Sequence, residues 1–206
     1  MKNQVTLSDL ERLKLGKLEQ QNETAINADF LNDFFGDILG YNYRSNKQWN
    51  LEKELKTYVN GQKPDGVIGY FYYRDENTNI VKGIIELKNA KADLDKPQNR
   101  SNDKRSPTGQ AFGYPSGFSK TCKWVIVSNF KEIRLYQAND RTKYECFYLK
   151  DLLDDFELKR FLFLLRIDNL ISKDGNSRVE RLIEKNDNYD EKNNNYNKKK
   201  VINPNI

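Results

Sequence analysis

Two strand-like runs separated by a short polar segment constrain the fold of this chain more than any other feature. Residues 66–73 and 80–85 are rich in β-branched and aromatic residues, which favour strands. Residues 74–79 between them have the composition of a turn. We therefore predict an antiparallel hairpin. This pairing brings Asp65, at the start of the first strand, opposite residues 86–88 at the end of the second.

The tripeptide Glu86-Leu87-Lys88 carries the candidate chemistry. Side chains alternate faces along a strand, so Glu86 and Lys88 point to one face and Leu87 to the other. The carboxylates of Asp65 and Glu86 and the ammonium of Lys88 thus converge at one end of the hairpin. Carboxylates placed in this way can hold a divalent metal ion beside an activated water, which is what hydrolysis of a phosphodiester requires.

The tripeptide alone is a weak signal. Charged residues make up 32% of the chain, and Glu-Leu-Lys occurs three times. Glu54-Leu55-Lys56 lies in a polar stretch, and Glu157-Leu158-Lys159 lies within a helical pattern, where we expect Lys159 to be solvated. The copy at residues 86–88 differs from both because it ends a buried type of strand and has an aspartate partner.

Composition narrows the chemistry further. The 206-residue chain has no histidine, which excludes Ser-His-Asp and Cys-His catalysis and imidazole zinc sites. Cys122 and Cys146 are too few and too far apart for a metal site, and we expect them to be reduced in a cytoplasmic protein. No apolar stretch approaches the length of a membrane span, so we expect no membrane partner. The formal charge of +5 and the pI near 9.0 favour a polyanionic partner.

A helix is predicted over residues 24–39 from the spacing of its apolar residues, and it ends at Gly40. In helical projection Glu23 falls on the apolar face of this helix. A carboxylate there either satisfies helix-terminal N–H groups or points into a site. Glu19, one turn earlier, is an alternative candidate for the same role.

A basic segment follows the candidate site. Residues 90–105 contain almost nothing apolar and hold five cationic residues against three aspartates. The segment is either an ordinary solvated loop or a clamp for a phosphate backbone, which Lys and Arg contact without sequence preference. The cationic residues are Lys91, Lys96, Arg100, Lys104 and Arg105.

The rest of the chain predicts a short helix, three strands and a final helix. Ser106 and Pro107 are typical of a helix N-cap and first helical position. The helix that they begin places Gln110 and Tyr114 one turn apart on one face. The further elements are predicted at about residues 123–128, 131–137, 143–149 and 151–166.

Taken in order, Pro64-Asp65, Glu86-Leu87-Lys88 and Gln110-x-x-x-Tyr114 resemble the motifs of the PD-(D/E)XK nuclease superfamily. The sequence around residues 110–136 resembles the N-terminal endonuclease domain of type IIG restriction-modification enzymes. The resemblance covers about residues 20–168. It implies an α/β, restriction-endonuclease-like fold, with a central mixed β-sheet flanked by helices. It also implies Mg²⁺-dependent cleavage of double-stranded DNA, with Mn²⁺ able to substitute.

The resemblance further implies a metal site. Asp65, Glu86 and the backbone carbonyl of Leu87 would bind the ion. Glu23 would support the metal or its water.

Roles for the other motif residues follow from the same resemblance. Lys88 would orient or deprotonate the attacking water and stabilise charge on the scissile phosphate. Gln110 and Tyr114 would position Lys88 or the DNA backbone. The cations of residues 90–105, together with Tyr114, would contact DNA.

The resemblance also bears on the domain organisation of the enzyme to which this chain would belong. We assign residues 1–172 to the nuclease domain. Residues 173–206 form a polar, low-complexity tail or linker that we expect to be disordered. The sequence has no Asn-Pro-Pro-Tyr-like methylation motif and no glycine-rich cofactor loop after a strand. A methyltransferase and target-recognition module is therefore expected in another domain or subunit, and transient dimerisation would serve double-strand cleavage.

Two alternative functions stay open. A PD-(D/E)XK nuclease of DNA repair or mobile-element processing would have the same site with different partners. A catalytically silent nucleic-acid-binding domain would keep the fold without binding a metal.

Overall fold

The computed structural model of the chain describes residues 29–44, 47–75, 78–99 and 103–192, with side chains described up to residue 186. Within these residues six strands form one sheet. The strands are β1 (Gln48–Lys53), β2 (Gly66–Tyr72), β3 (Ile80–Leu87), β4 (Trp124–Ser128), β5 (Glu132–Gln137) and β6 (Asp140–Tyr148). The helices are α1 (Phe30–Ile38), α2 (Pro107–Ala111), α3 (Asp155–Leu165), α4 (Ile167–Leu170) and α5 (Arg178–Lys192). Short 3₁₀-helices span Pro115–Gly117 and Leu149–Leu153.

The strands lie in the sheet in chain order. β3 and β4 pair in parallel, and the other neighbouring strands of the described sheet pair antiparallel. Helices α1, α3, α4 and α5 contribute to the core on one face, and α2 contributes to the core on the other. A mixed sheet flanked by helices is the α/β architecture that the sequence predicts, and that prediction is confirmed.

The hairpin of β2 and β3 has the predicted register. Gly66 pairs with Ile85, so Asp65, one residue earlier, lies opposite Glu86. β3 extends to Leu87, two residues further than the predicted strand. The candidate residues are therefore brought together at one end of the sheet.

The two faces of β3 face different parts of the core. Ile85 and Leu87 belong to the apolar cluster under α1 and α3. Ile84 belongs to the cluster on the α2 side. Because side chains alternate along a strand, Glu86 and Lys88 point to the α2 side, as the sequence predicts.

Helix α1 is the described part of the helix predicted over residues 24–39. Its backbone has π-helical hydrogen bonding over Phe30–Ile38. The rings of Phe30 and Phe34 stack with their centroids 4.7 Å apart, and this face packs on the sheet. Glu19 and Glu23 lie outside the described residues.

Two elements differ from the sequence prediction. β1 comes from a polar stretch that gives no strand signal, and Asn50 within it donates a hydrogen bond to the Gly69 carbonyl oxygen (2.8 Å). α5 lies in the segment assigned to a disordered tail. Val179 of α5 is fully buried in the core and Ile183 packs against it, so ordered structure continues past residue 172. Residues 193–206 lie outside the described part.

The two cysteines and the membrane prediction can also be compared with the structure. Cys122 is buried and Cys146 half-buried, and both are free thiols. None of the helices in the described ranges is long and apolar enough to cross a membrane.

Candidate active site

Asp65 is fixed at the start of β2 by the backbone of β3. Its Oδ2 accepts a hydrogen bond from the Leu87 N–H at 2.7 Å. This bond ties the carboxylate to the strand that carries the other candidate residues. The predicted pairing of Asp65 with the end of the next strand is therefore seen at atomic contact.

Glu86 and Lys88 form a buried ion pair beside Asp65. Glu86 is 2% exposed and Lys88 5% exposed, and the Lys88 ammonium contacts the Glu86 carboxylate. The backbone N–H of Lys88 donates to the Ser128 carbonyl oxygen of β4 (2.8 Å). Lys88 is thus held by the parallel β3–β4 pairing, one residue past the end of β3.

Burial, and after it the negative charge of Asp65, raises the pKa of Glu86 from an ordinary 4.5 to about 7. Lys88, and then a hydrogen bond from Tyr114, act in the opposite direction. The negative charge of Asp65 thus acts directly on the Glu86 carboxyl. A buried carboxyl with a raised pKa and a defined charge partner is typical of a functional site.

A row of hydrogen-bonded side chains, Tyr114, Gln110 and Gln98, connects Glu86 to the basic segment. The Gln110 side-chain amide donates to the Tyr114 hydroxyl oxygen at 2.8 Å, which leaves the hydroxyl proton for Glu86. Gln98 in turn donates to the Gln110 side-chain oxygen at 3.1 Å. Burial and the charge of Glu86 raise the pKa of Tyr114 well above its ordinary value, so this tyrosine stays protonated. These hydrogen bonds hold the Glu86 carboxylate in one orientation.

The short helix α2 carries Gln110 as the sequence predicts, whereas Tyr114 lies three residues beyond its end, just before the 3₁₀-helix Pro115–Gly117. The Ser106 hydroxyl caps the helix by accepting from the Gly109 N–H (3.0 Å). Gln110 and Tyr114 lie one turn apart and touch each other. Tyr114 is buried against the core and hydrogen-bonds to Glu86, and its contact with DNA stays a prediction.

The basic segment lies at the mouth of the site. Lys91, Lys96 and Lys104 are exposed, and Arg100 lies outside the described residues. The Arg105 guanidinium pairs with Asp103 (2.7 Å). It also lies over Gly113, where a Cβ atom would approach its Nη1 to 2.5 Å.

The segment is anchored more firmly than its composition suggests. Leu94 is buried in the α2-side core, and its carbonyl oxygen accepts from both the N–H (3.0 Å) and the hydroxyl (2.8 Å) of Thr108. Arg134 of β5 donates to Asp95 at 2.8 Å. These contacts hold the segment beside the ion pair.

A groove of about 330 Å³ opens between the segment and Lys88. Lys88 forms part of its wall, together with Asp93, Lys96 and Gln98. Lys88 therefore reaches a space open to a ligand although its side chain is almost fully buried. Gln98 is the functional candidate that the sequence analysis missed, since a single glutamine in a polar loop gives no pattern.

The site suits a hard divalent cation by its donor atoms. Asp65 and Glu86 offer carboxylate oxygens, which Mg²⁺ prefers, and a cation between them would reverse the repulsion that raises the pKa of Glu86. Among the described residues no group of three or more Asp, Glu, Cys or His side chains is placed to hold a metal. A third ligand would come from the Leu87 carbonyl or from Glu23, which lies outside the described part.

The other two Glu-Leu-Lys tripeptides lack this setting. Glu54 is exposed at a turn with a positive φ of 48° and pairs with Lys63 at 3.8 Å. Lys159 pairs with Asp155 on the exposed face of α3. Neither tripeptide buries a charge beside a second carboxylate.

Comparison with known proteins places the chain in a family. The family model described as "MmeI, N-terminal domain" matches residues 3–183. No curated protein and no solved structure gives a match. The predicted resemblance to the N-terminal domain of type IIG restriction enzymes is supported, whereas membership of the PD-(D/E)XK superfamily stays a prediction. The chain belongs to the MmeI N-terminal domain family, the N-terminal region of a type IIG restriction enzyme.

Proposed function

We propose that this chain is the Mg²⁺-dependent endodeoxyribonuclease domain of a type IIG-like restriction system, with a PD-(D/E)XK site. The observation that carries the proposal is the convergence of the half-buried Asp65 with the buried Glu86–Lys88 ion pair at one end of the β2–β3 hairpin, where Lys88 lines a groove. Burying a carboxylate and an ammonium, as at Glu86 and Lys88, costs several kcal/mol per ion before pairing. Because this arrangement costs stability, its place beside a groove favours a catalytic role over a structural one.

The residues divide the work of phosphodiester hydrolysis among them. Asp65 and Glu86, with the Leu87 carbonyl, would hold the metal ion, which supplies charge stabilisation and an acidified water when bound. Lys88 lines the groove and places its positive charge where a scissile phosphate would lie. Water would add to phosphorus as the bond to the leaving oxygen breaks. The proton that the water loses would pass to solvent in the groove, and a solvent proton would neutralise the leaving oxygen.

A row of hydrogen-bonded side chains keeps the Glu86 carboxylate aligned. Gln98, Gln110 and Tyr114 orient Glu86 through successive hydrogen bonds. The cations of the basic segment would contact the DNA backbone, which positions a duplex without reading its sequence. Target recognition and methylation would come from another domain or subunit.

A plasmid nicking assay tests the proposal. Supercoiled plasmid should be nicked by the wild-type chain with Mg²⁺ and not with EDTA. Lys88→Ala should abolish nicking, and the matched variant Lys159→Ala, in the same tripeptide on the surface of α3, should nick normally. Nicking that survives Lys88→Ala, or that falls equally in both variants, would refute the site assignment.

Calorimetric titration with Mn²⁺ separates a nuclease from a silent DNA-binding domain. Wild type should bind the ion, and Asp65→Ala should lose this binding. DNA binding by a wild-type chain that takes up no Mn²⁺ would favour the silent alternative.

A further inference from the structure

An exposed apolar tip lies in the connection between β1 and β2, outside the residues assigned to catalysis. Tyr58 and Val59 are 55% and 79% exposed. They occupy a tight turn closed by the Thr57 N–H, which donates to the Gln62 carbonyl oxygen at 2.8 Å. Adjacent apolar side chains held out at one turn are typical of a contact surface.

The tip is rigidly attached to the segment that follows α2. The N–H groups of Tyr58 and Val59 both donate to the Gly117 carbonyl oxygen, at 2.7 and 3.2 Å. The Tyr58 ring meets Phe118 edge-on at 5.4 Å. At Gly117 a Cβ atom would lie 2.8 Å from Thr57, so glycine permits this close approach. A pre-formed tip loses little conformational entropy when it binds.

The tip lies at the same end of the sheet as the candidate active site. β1 and β2 are antiparallel, as are β2 and β3, so the β1–β2 connection projects beside Asp65 and the end of β3. Phe118 belongs to the α2-side core, the side to which Glu86 points. At about 3.3 Å per extended residue the tip lies roughly 10–14 Å from Asp65. This is about three to four steps of 3.4 Å along a duplex.

The charge around the tip favours a polyanion. Residues 53–63 contain three lysines and one glutamate. Lys56 and Lys63 are exposed on either side of the turn, and Lys63 also pairs with Glu54 at 3.8 Å, which leaves a surplus of positive charge. The basic segment of residues 90–105 lies on the other side of the carboxylates. A duplex laid across the site would therefore meet positive charge on both sides and apolar side chains on one.

We propose that the Tyr58–Val59 tip inserts into the minor groove of duplex DNA and partly unstacks a base step three to four base pairs from the scissile phosphate. Apolar side chains inserted between base steps in this groove are a known means of bending DNA. Lys56 and Lys63 contact the flanking phosphates. The inference rests on the proposed function for the position of the duplex, and it adds a contact that the catalytic residues do not provide.

Fluorescence anisotropy without divalent metal tests the tip apart from cleavage. The variant Tyr58→Ser/Val59→Ser should bind a paired duplex about five- to twenty-fold more weakly than wild type, with an unchanged salt slope because no charge is removed. Lys56→Gln/Lys63→Gln should reduce the salt slope by about one to two. Tyr73→Ser is the matched control, since Tyr73 is 48% exposed at the opposite end of β2, and it should bind like wild type.

A duplex with a central mismatch gives a second readout. Its bases are already easier to unstack, so wild type should bind it more tightly than the paired duplex, and the tip variant should lose this preference. Val59→Ser alone keeps the Tyr58–Phe118 contact and should lose part of the preference even if the double variant folds poorly. Unchanged affinity and unchanged preference in both tip variants would overturn the inference.

Plasmid nicking measured in parallel keeps the two proposals apart. Wild-type nicking combined with normal DNA binding by the tip variants would refute the insertion of the tip into DNA and would leave the nuclease proposal standing. Weakened binding by the tip variants, without wild-type nicking under any divalent metal, would support the contact of the tip with DNA and refute the nuclease together with the position relative to a scissile phosphate.

Discussion

Replacing Glu86 with glutamine should remove a pH dependence of stability that the candidate active site imposes on the domain. The carboxyl has a pKa of about 7 in the folded chain against an ordinary 4.5. A raised folded pKa means that the folded state binds the proton more tightly than the unfolded state. The stabilisation is therefore complete below pH 4.5 and is lost as the pH rises through 7.

The size of the effect follows from the two pKa values. One unit of pKa difference corresponds to about 1.36 kcal/mol. Compared with Glu86→Gln, the wild-type free energy of unfolding should therefore fall by roughly 2–3 kcal/mol between pH 5 and pH 8. For a domain of this size that corresponds to a difference of about 5–10 °C in Tm. Any constant cost of leaving Lys88 without its carboxylate partner cancels, because only the change with pH is compared.

Urea denaturation at several pH values, in EDTA, measures this difference. Mg²⁺ added at pH 8 should recover stability in wild type and not in Glu86→Gln, because the ion binds the ionised carboxylate. Glu54→Gln is the matched control, and its stability should follow wild type at every pH. Parallel curves for wild type and Glu86→Gln would refute the reasoning that Glu86 is a desolvated carboxyl beside Asp65.

Four further changes test separate parts of the structure. Gln98→Ala should slow plasmid nicking about five-fold with unchanged Tm, since about 1 kcal/mol of hydrogen bonding is lost. Tyr114→Phe removes a donor that lowers the Glu86 pKa, so the acid limb of the nicking–pH profile should move to higher pH. Val179→Ala should lower the free energy of unfolding in urea by about 2 kcal/mol, whereas a disordered tail would show no loss. Lys96→Gln should reduce the salt slope of DNA binding by about one.

The sequence predicts the centre of the site because two local rules apply there. Alternation along β3 places Glu86 and Lys88 on one face, and the hairpin places Asp65 opposite them. Both rules depend only on neighbouring residues and on one short turn. The capping of α2 by Ser106 is predictable for the same reason.

The parts that the sequence does not predict depend on distant contacts. β1 has few apolar residues and is a strand because β2 offers it a partner, with Asn50 bonding to Gly69. α5 is polar over most of its length, and a few buried side chains such as Val179 attach it to the core. Gln98 reaches Gln110 through the path of an irregular loop, which no periodicity describes.

The topology of the sheet explains why so much of the candidate site comes from one stretch of chain. Antiparallel strands can be joined by a tight turn, whereas parallel strands need a long crossover. β3 and β4 form the parallel pair of the described sheet, and residues 88–123 connect them. This crossover begins at Lys88, passes through the basic segment and Gln98, and returns over the sheet as α2. Asp65 and Glu86 come from the hairpin, and the crossover that the parallel pairing requires supplies the groups that orient the carboxylate and face the groove.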